Sequence, residues 1–225
     1  TGTFTTVAAD TIKLGNGADV KGVDSGAGAG GAFTANTLEL ASGASVTMTA
    51  AQNNSFTSAT AAGTETIAIS DANDATGLAT IETYTLAAGT QTFTLGATGQ
   101  NVTADSTGAT GAITIDTSTF TSVTGIFDDN TGDDTIALTL SQDGVNISSA
   151  NTTDVDTIAL ANNVGATMTR AQDAKINAAS GTNTVTLTDA GAVTGNANVE
   201  TYVLAAGTQT FTLGATGQNV TADST

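Results

Sequence analysis

Asp128-Asp129-Asn130-Thr131-Gly132-Asp133-Asp134 places four carboxylates and a side-chain amide within seven residues, with a glycine to bend the chain. Oxygen donors at that density suit a hard cation, and Ca²⁺ is the ion expected there. A second such turn is Gly15-Asn16-Gly17-Ala18-Asp19, with Asp24 nearby. The competing reading of both is an acidic turn solvated by water. In the other half of the chain, Val7-Ala8-Ala9-Asp10 stands where Asp128–Asp134 would recur, without the cluster.

Other chemistries are narrowed by what the chain lacks. It has no Cys and no His, which removes thiolate zinc sites, disulfides, thiol nucleophiles and imidazole bases together. Its 21 acids against four bases give a net charge of −17, which opposes binding to nucleic acid phosphates or an anionic membrane surface. The bases are Lys13, Lys21, Arg170 and Lys175, too few for a basic stripe. Arg170 and Lys175 are the one nearby pair, and Ala50 and Ser55 stand at the matching places 120 residues earlier. Cleavage of an acidic polysaccharide by such a base is therefore only a remote alternative, and no enzyme is expected. No apolar run approaches the ~18 residues of a membrane span.

The elements that must position these turns are repeats. Thr83–Thr107 (TYTLAAGTQTFTLGATGQNVTADST) returns at Thr201–Thr225 with 24 identities in 25 positions, Thr85 becoming Val203. A finer period of nine lies inside it: TYTLAAGTQ, TFTLGATGQ, NVTADSTGA. Each nonapeptide reads as a short strand with alternating apolar residues, followed by a Gly-bearing turn. In the second half, large apolar residues at Ile158, Met168, Ile176, Val185, Val193, Tyr202, Phe211 and Val220 step by 10, 8, 9, 8, 9, 9 and 9 residues. Asn36–Gln52 matches Asp156–Gln172, and Asp10–Leu14 (DTIKL) matches Asp134–Leu138 (DTIAL). The chain is thus about two copies of a ~118-residue unit, approximately 1–107 and 108–225, joined without a linker. Gly26–Gly31 is its loosest segment and reads as a wide turn.

Strands that resemble one another, one per nonapeptide, predict an all-β parallel β-solenoid. The alternative is tandem β-sandwich domains, which calls for varied strands and tight hairpins, and Asp143-Gly144 is the one hairpin candidate. From Tyr84 to Tyr202 there are about twelve strand steps, which divide into six two-sided coils or four three-sided ones. Stacking puts like side chains above like, with Val, Ile and Phe in inward columns and Thr in outward ones. Thr-x-Thr triplets such as Thr92-Phe93-Thr94 read as ordinary outward strand residues, since an ice-matching array requires constant coil length.

Gly15, Gly17 and Asp19, and again Gly132, Asp134 and Ile136, match part of the pattern G-G-x-G-x-D-x-U-x. In this the chain resembles the RTX nonapeptides of type I secreted proteins, a family in which turn-bound calcium drives folding outside the cell. Leu14 replaces the first Gly, Lys21 sits where the large apolar residue belongs, and most turns carry no Asp. More broadly, the acidic, Cys-free, Thr/Ala/Gly/Asp-rich repeats resemble those of bacterial S-layer proteins and giant surface adhesins. The resemblance implies an extracellular, cell-surface structural protein that self-associates end to end or laterally, with a surface glycan as a further candidate partner. The alternative is an adhesin stalk holding a separate binding tip. Because the sequence begins and stops within the repeat unit, it is expected to be a piece of a longer array.

Overall fold

A computed structural model describes residues 11–23, 32–33, 37–104, 110–130 and 132–222. Gly26–Gly31 and Asp24 lie outside the described residues. The chain forms a parallel β-solenoid of about nine turns, with two strands per coil. At ~4.8 Å per strand the stack is on the order of 40 Å long.

One side carries β1 (Thr11–Leu14), β2 (Thr37–Leu40), β4 (Ser58–Thr60), β6 (Ala75–Thr76), β8 (Thr90–Thr94), β10 (Ala112–Asp116), β12 (Thr135–Leu140), β14 (Thr157–Leu160), β16 (Ile176–Ala179), β18 (Ala192–Thr194) and β20 (Thr210–Thr212). The other carries β3 (Ser45–Met48), β5 (Thr66–Ile69), β7 (Thr83–Thr85), β9 (Asn101–Thr103), β11 (Phe127–Asp128), β13 (Val145–Asn146), β15 (Gly165–Met168), β17 (Thr184–Leu187), β19 (Thr201–Leu204) and β21 (Asn219–Ala222). From β2 onward the strands alternate between the two sides, and every pairing is parallel. The solenoid expected from the nonapeptide rhythm is the fold, with two nonapeptides making one coil of 18 residues where the period is regular, as Tyr84↔Val102 and Tyr202↔Val220 show. Tyr84 and Tyr202 are six coils apart along one face, so the coil is two-sided.

In-register stacking converts the apolar spacing into columns. Val46, Ile67, Tyr84, Val102 and Phe127 run down one face. Ala75, Phe93, Ile115, Leu138, Ile158 and Ile176 run down the opposite one. All eleven are buried, each large side chain contributing roughly 1.5–3 kcal/mol. The aromatic residues repeat their geometry as well as their spacing. Tyr84 and Phe93 lie 4.7 Å apart at 49°, and Tyr202 and Phe211 lie 4.8 Å apart at 53°.

Two one-turn helices interrupt the strand rhythm, α1 (Ala50–Asn54) and α2 (Arg170–Asp173). Each begins with a capping box. The Thr49 hydroxyl accepts from Gln52 N while Gln52 Oε1 accepts from Thr49 N, and Thr169 and Gln172 do the same. The T-x-x-Q signal stands in both halves of the sequence, but nine-residue strand spacing alone runs past it. The buried glutamines then reach across the core, Gln52 Nε2 donating to Val20 O and Gln172 Nε2 to Ile147 O. A helical turn thereby fixes the same corner of the coil in both copies.

Turns close by near-contact of backbone. A Cβ at Gly96 would overlap the Gly77 carbonyl, and one at Gly214 would overlap the Gly195 carbonyl. Beside them Gln100 is fully satisfied, donating to Leu78 O and Ile81 O (both 2.8 Å) and accepting from Gly96 N and Ala97 N. Gln218 repeats all four contacts on Asn196, Val199, Gly214 and Ala215.

Candidate functional site

The acidic turn begins at the end of β11, where Asp128 closes the strand. Asp128 Oδ1 accepts from Asn130 N and Asp129 Oδ1 from Gly132 N, both at 2.8 Å. Asn130 and Gly132 take positive φ, 60° and 78°, the backbone form that Asn and Gly adopt most cheaply. Asp134 turns the other way: it is buried and its Oδ1 accepts from Gly111 N, fastening the turn before β12 to the turn before β10. Asp133 is half-buried. These carboxylates are therefore used in part as caps for backbone N–H groups, a role that seven residues of sequence do not distinguish from ion binding. Among the described residues no three Asp or Glu side chains gather closely enough to hold one ion.

Asp19 lies at the opposite end of the described stack, bridged to Thr47 of β3. Its Oδ2 meets Lys21 Nζ at 2.7 Å and its Oδ1 accepts from Lys21 N. The Lys21 hydrogen bond holds the Asp19 carboxyl below its ordinary range. Lys21, the residue that departs from the RTX pattern, is thus the group that occupies Asp19.

The two bases considered for chemistry have structural partners. Lys175 Nζ donates to three carbonyls, of Thr152, Thr153 and Val155, at 2.6–2.8 Å. Arg170 Nε lies 3.0 Å from Asp189 Oδ2, and its Nη1 donates to Ala192 O. Arg170 and Asp189 border an open hollow of about 430 Å³ that Asp173, Val193 and Thr194 also line.

Asp173 is the residue that sequence reading passed over. It is buried in α2, and its Oδ1 accepts from the Tyr202 hydroxyl at 3.0 Å, while that hydroxyl accepts from Asn196 N at 2.7 Å. Burial pushes the Asp173 carboxyl up to about 6, with the Tyr202 hydrogen bond opposing the shift. Burial and the Asp173 carboxylate together push Tyr202 upward too. In the first copy Asn53 stands in this place, its Oδ1 accepting from the Tyr84 hydroxyl at 3.4 Å and its Nδ2 donating to Thr76 O. The signal was present in the alignment of Asn53 with Asp173, the one position of this network where an amide becomes an acid.

Compared with known protein families, curated proteins and solved structures, the chain shows no match. No helix among the described residues is long and apolar enough to cross a membrane.

Proposed function

We propose that this chain is a structural segment of an extracellular bacterial surface protein, a rod whose stacked coils build a layer or fibre. The observation that carries the reading is continuity. The ladders run from the first copy into the second at the solenoid's own pitch, with six coils between Tyr84 and Tyr202. A unit that repeats in phase with its own coil extends a rod without a hinge, which suits a mechanical element. Columns of buried side chains and backbone ladders resist bending, and a net charge of −17 keeps the outer faces soluble.

The acidic balance and the repeat composition support a place outside the cell. The described carboxylates do not converge three to an ion, so nothing in the reading is routed through calcium. Ca²⁺ at the acidic turn Asp128–Asp134 is carried as a proposal tested separately.

Electron microscopy of the purified chain in millimolar calcium and in EDTA tests both. Filaments or sheets in both conditions are the expected result, the strand stacking itself holding the assembly. Assemblies that dissolve in EDTA would make the acidic turn a cation-linked joint. Separate short rods in both conditions would overturn the polymer and favour a stalk that holds a binding tip.

A further inference from the structure

The near-identical stretches offer an internal comparison. In the first copy, β8 and β9 lie in the middle of the stack and the next coil covers them, leaving Leu95 2% and Val102 1% exposed. In the second copy the same residues form the last described coil, where Leu213 is 55% and Val220 is 39% exposed. Phe211 is half-buried where Phe93 is fully buried, and all four residues of β21 are exposed. Sequence being equal, the difference is the absence of a neighbour on the end face.

The first copy also shows what that neighbour looks like. β10 sits on β8 with Ala112 on Thr90, Ile113 on Gln91, Thr114 on Thr92 and Ile115 on Phe93. The occupant is therefore a parallel strand with two inward aliphatic residues, two positions apart. β1 is such a strand. It is the outermost described strand at the other end of the same side, and its Thr11-Ile12-Lys13-Leu14 repeats the alternation of Thr135-Ile136-Ala137-Leu138, the strand that follows β10 in the ladder. Ile12 and Leu14 point inward, over Leu38 and Leu40.

We infer that the C-terminal end face is a docking surface for the N-terminal coil of a second copy, β1 seating on β20 as β10 seats on β8. The register follows from the internal template: Thr11 on Thr208, Ile12 on Gln209, Lys13 on Thr210 and Leu14 on Phe211. A parallel solenoid has different surfaces at its two ends, so this contact is head-to-tail and does not close on itself. It propagates as a filament rather than a dimer. The end strands, whose free edges are the usual liability of an open sheet, become the joint. The inference rests on the self-association proposed above and adds its polarity and register.

The absence of native cysteine permits a direct test. In the doubly substituted chain Lys13→Cys with Thr210→Cys, both side chains point outward and would lie on adjacent parallel strands ~4.8 Å apart, within the Cα range of a disulfide. Mild oxidation or a short bis-maleimide should give a ladder of covalent oligomers, while each single variant stops at dimers. Moving the second cysteine one coil inward, to Thr194, should abolish the ladder. In parallel, Leu213→Glu should raise the concentration needed for assembly at least about tenfold, since the burial of one leucine is lost and a charge is trapped. Its melting curve should stay that of the parent, because Leu213 is exposed in the monomer. Filaments that form without Lys13–Thr210 cross-links, or that form equally well with Leu213→Glu, would overturn this joint while leaving self-assembly intact. A chain that stays monomeric throughout would sink self-association itself.

Discussion

Replacing Asp173 with Asn should make the protein more stable at neutral pH and remove a pH dependence that the parent carries. The Asp173 carboxyl titrates at about 6 in the fold against an ordinary value of 3.8. A raised acid pKa means that the folded state holds its proton over a window in which the unfolded chain has lost it. Stability from this group is therefore highest below about 4, falls as pH rises from about 4 to about 6, and is lost above that. The difference, 6 − 3.8, is about two pH units, which corresponds to roughly 3 kcal/mol at 1.36 kcal/mol per unit. Asparagine keeps the carbonyl oxygen that the Tyr202 hydroxyl meets at 3.0 Å and carries no charge to desolvate, as Asn53 shows against Tyr84. The assay is urea denaturation of parent and Asp173→Asn at pH 4, 5, 6, 7 and 8, followed by tyrosine emission. With no Trp in the chain, that emission comes from Tyr84 and Tyr202 alone, and a Tyr84→Phe background isolates the second. The other carboxylates titrate in both proteins and cancel in the difference. The gain from Asp173→Asn should grow from near zero at pH 4 to roughly 3 kcal/mol at pH 7 and above. A difference that stays flat across this range, or a variant less stable than the parent at pH 7, would refute the assignment of a strained buried acid.

Three further outcomes follow from the same geometry. Gln100→Leu should cost about 2–4 kcal/mol, because four backbone groups lose their partner in the core, whereas Gln218→Leu on the end coil should cost less; paired denaturation curves check the contrast. Gly96→Ala forces a methyl group onto the Gly77 carbonyl and should destabilise by at least about 1–3 kcal/mol, read as a lower melting point or loss of soluble protein. Glu65, fully buried, has one carboxylate oxygen without a hydrogen-bond partner, while its counterpart Asn183 is satisfied on both polar atoms; Glu65→Asn should therefore stabilise by about 1–3 kcal/mol in equilibrium unfolding.

The chain's own spelling determined the repeating unit, the inward columns and the all-β class, because each depends on residues a few positions apart. Alternation in Thr184-Val185-Thr186-Leu187 places Val185 and Leu187 inward whatever the strand later pairs with, and a glycine every nine residues marks where the chain must bend. The number of sides to a coil is not local in this sense. It depends on which strand, 17 to 26 residues away, closes against which, and the same period accommodates two or three faces. The acidic turn divides the same way. Its carboxylates are plain in sequence, but whether they meet one another or cap backbone donors depends on where β10, β11 and β12 lie. Asp173 differs from Asn53 by one group, and only packing on Tyr202 turns that into a displaced titration. Most directly, Leu95 and Leu213 sit in the same ten-residue sequence TQTFTLGATG, one in the core and one in solvent. No local rule separates them, since burial in a solenoid is conferred by the next coil.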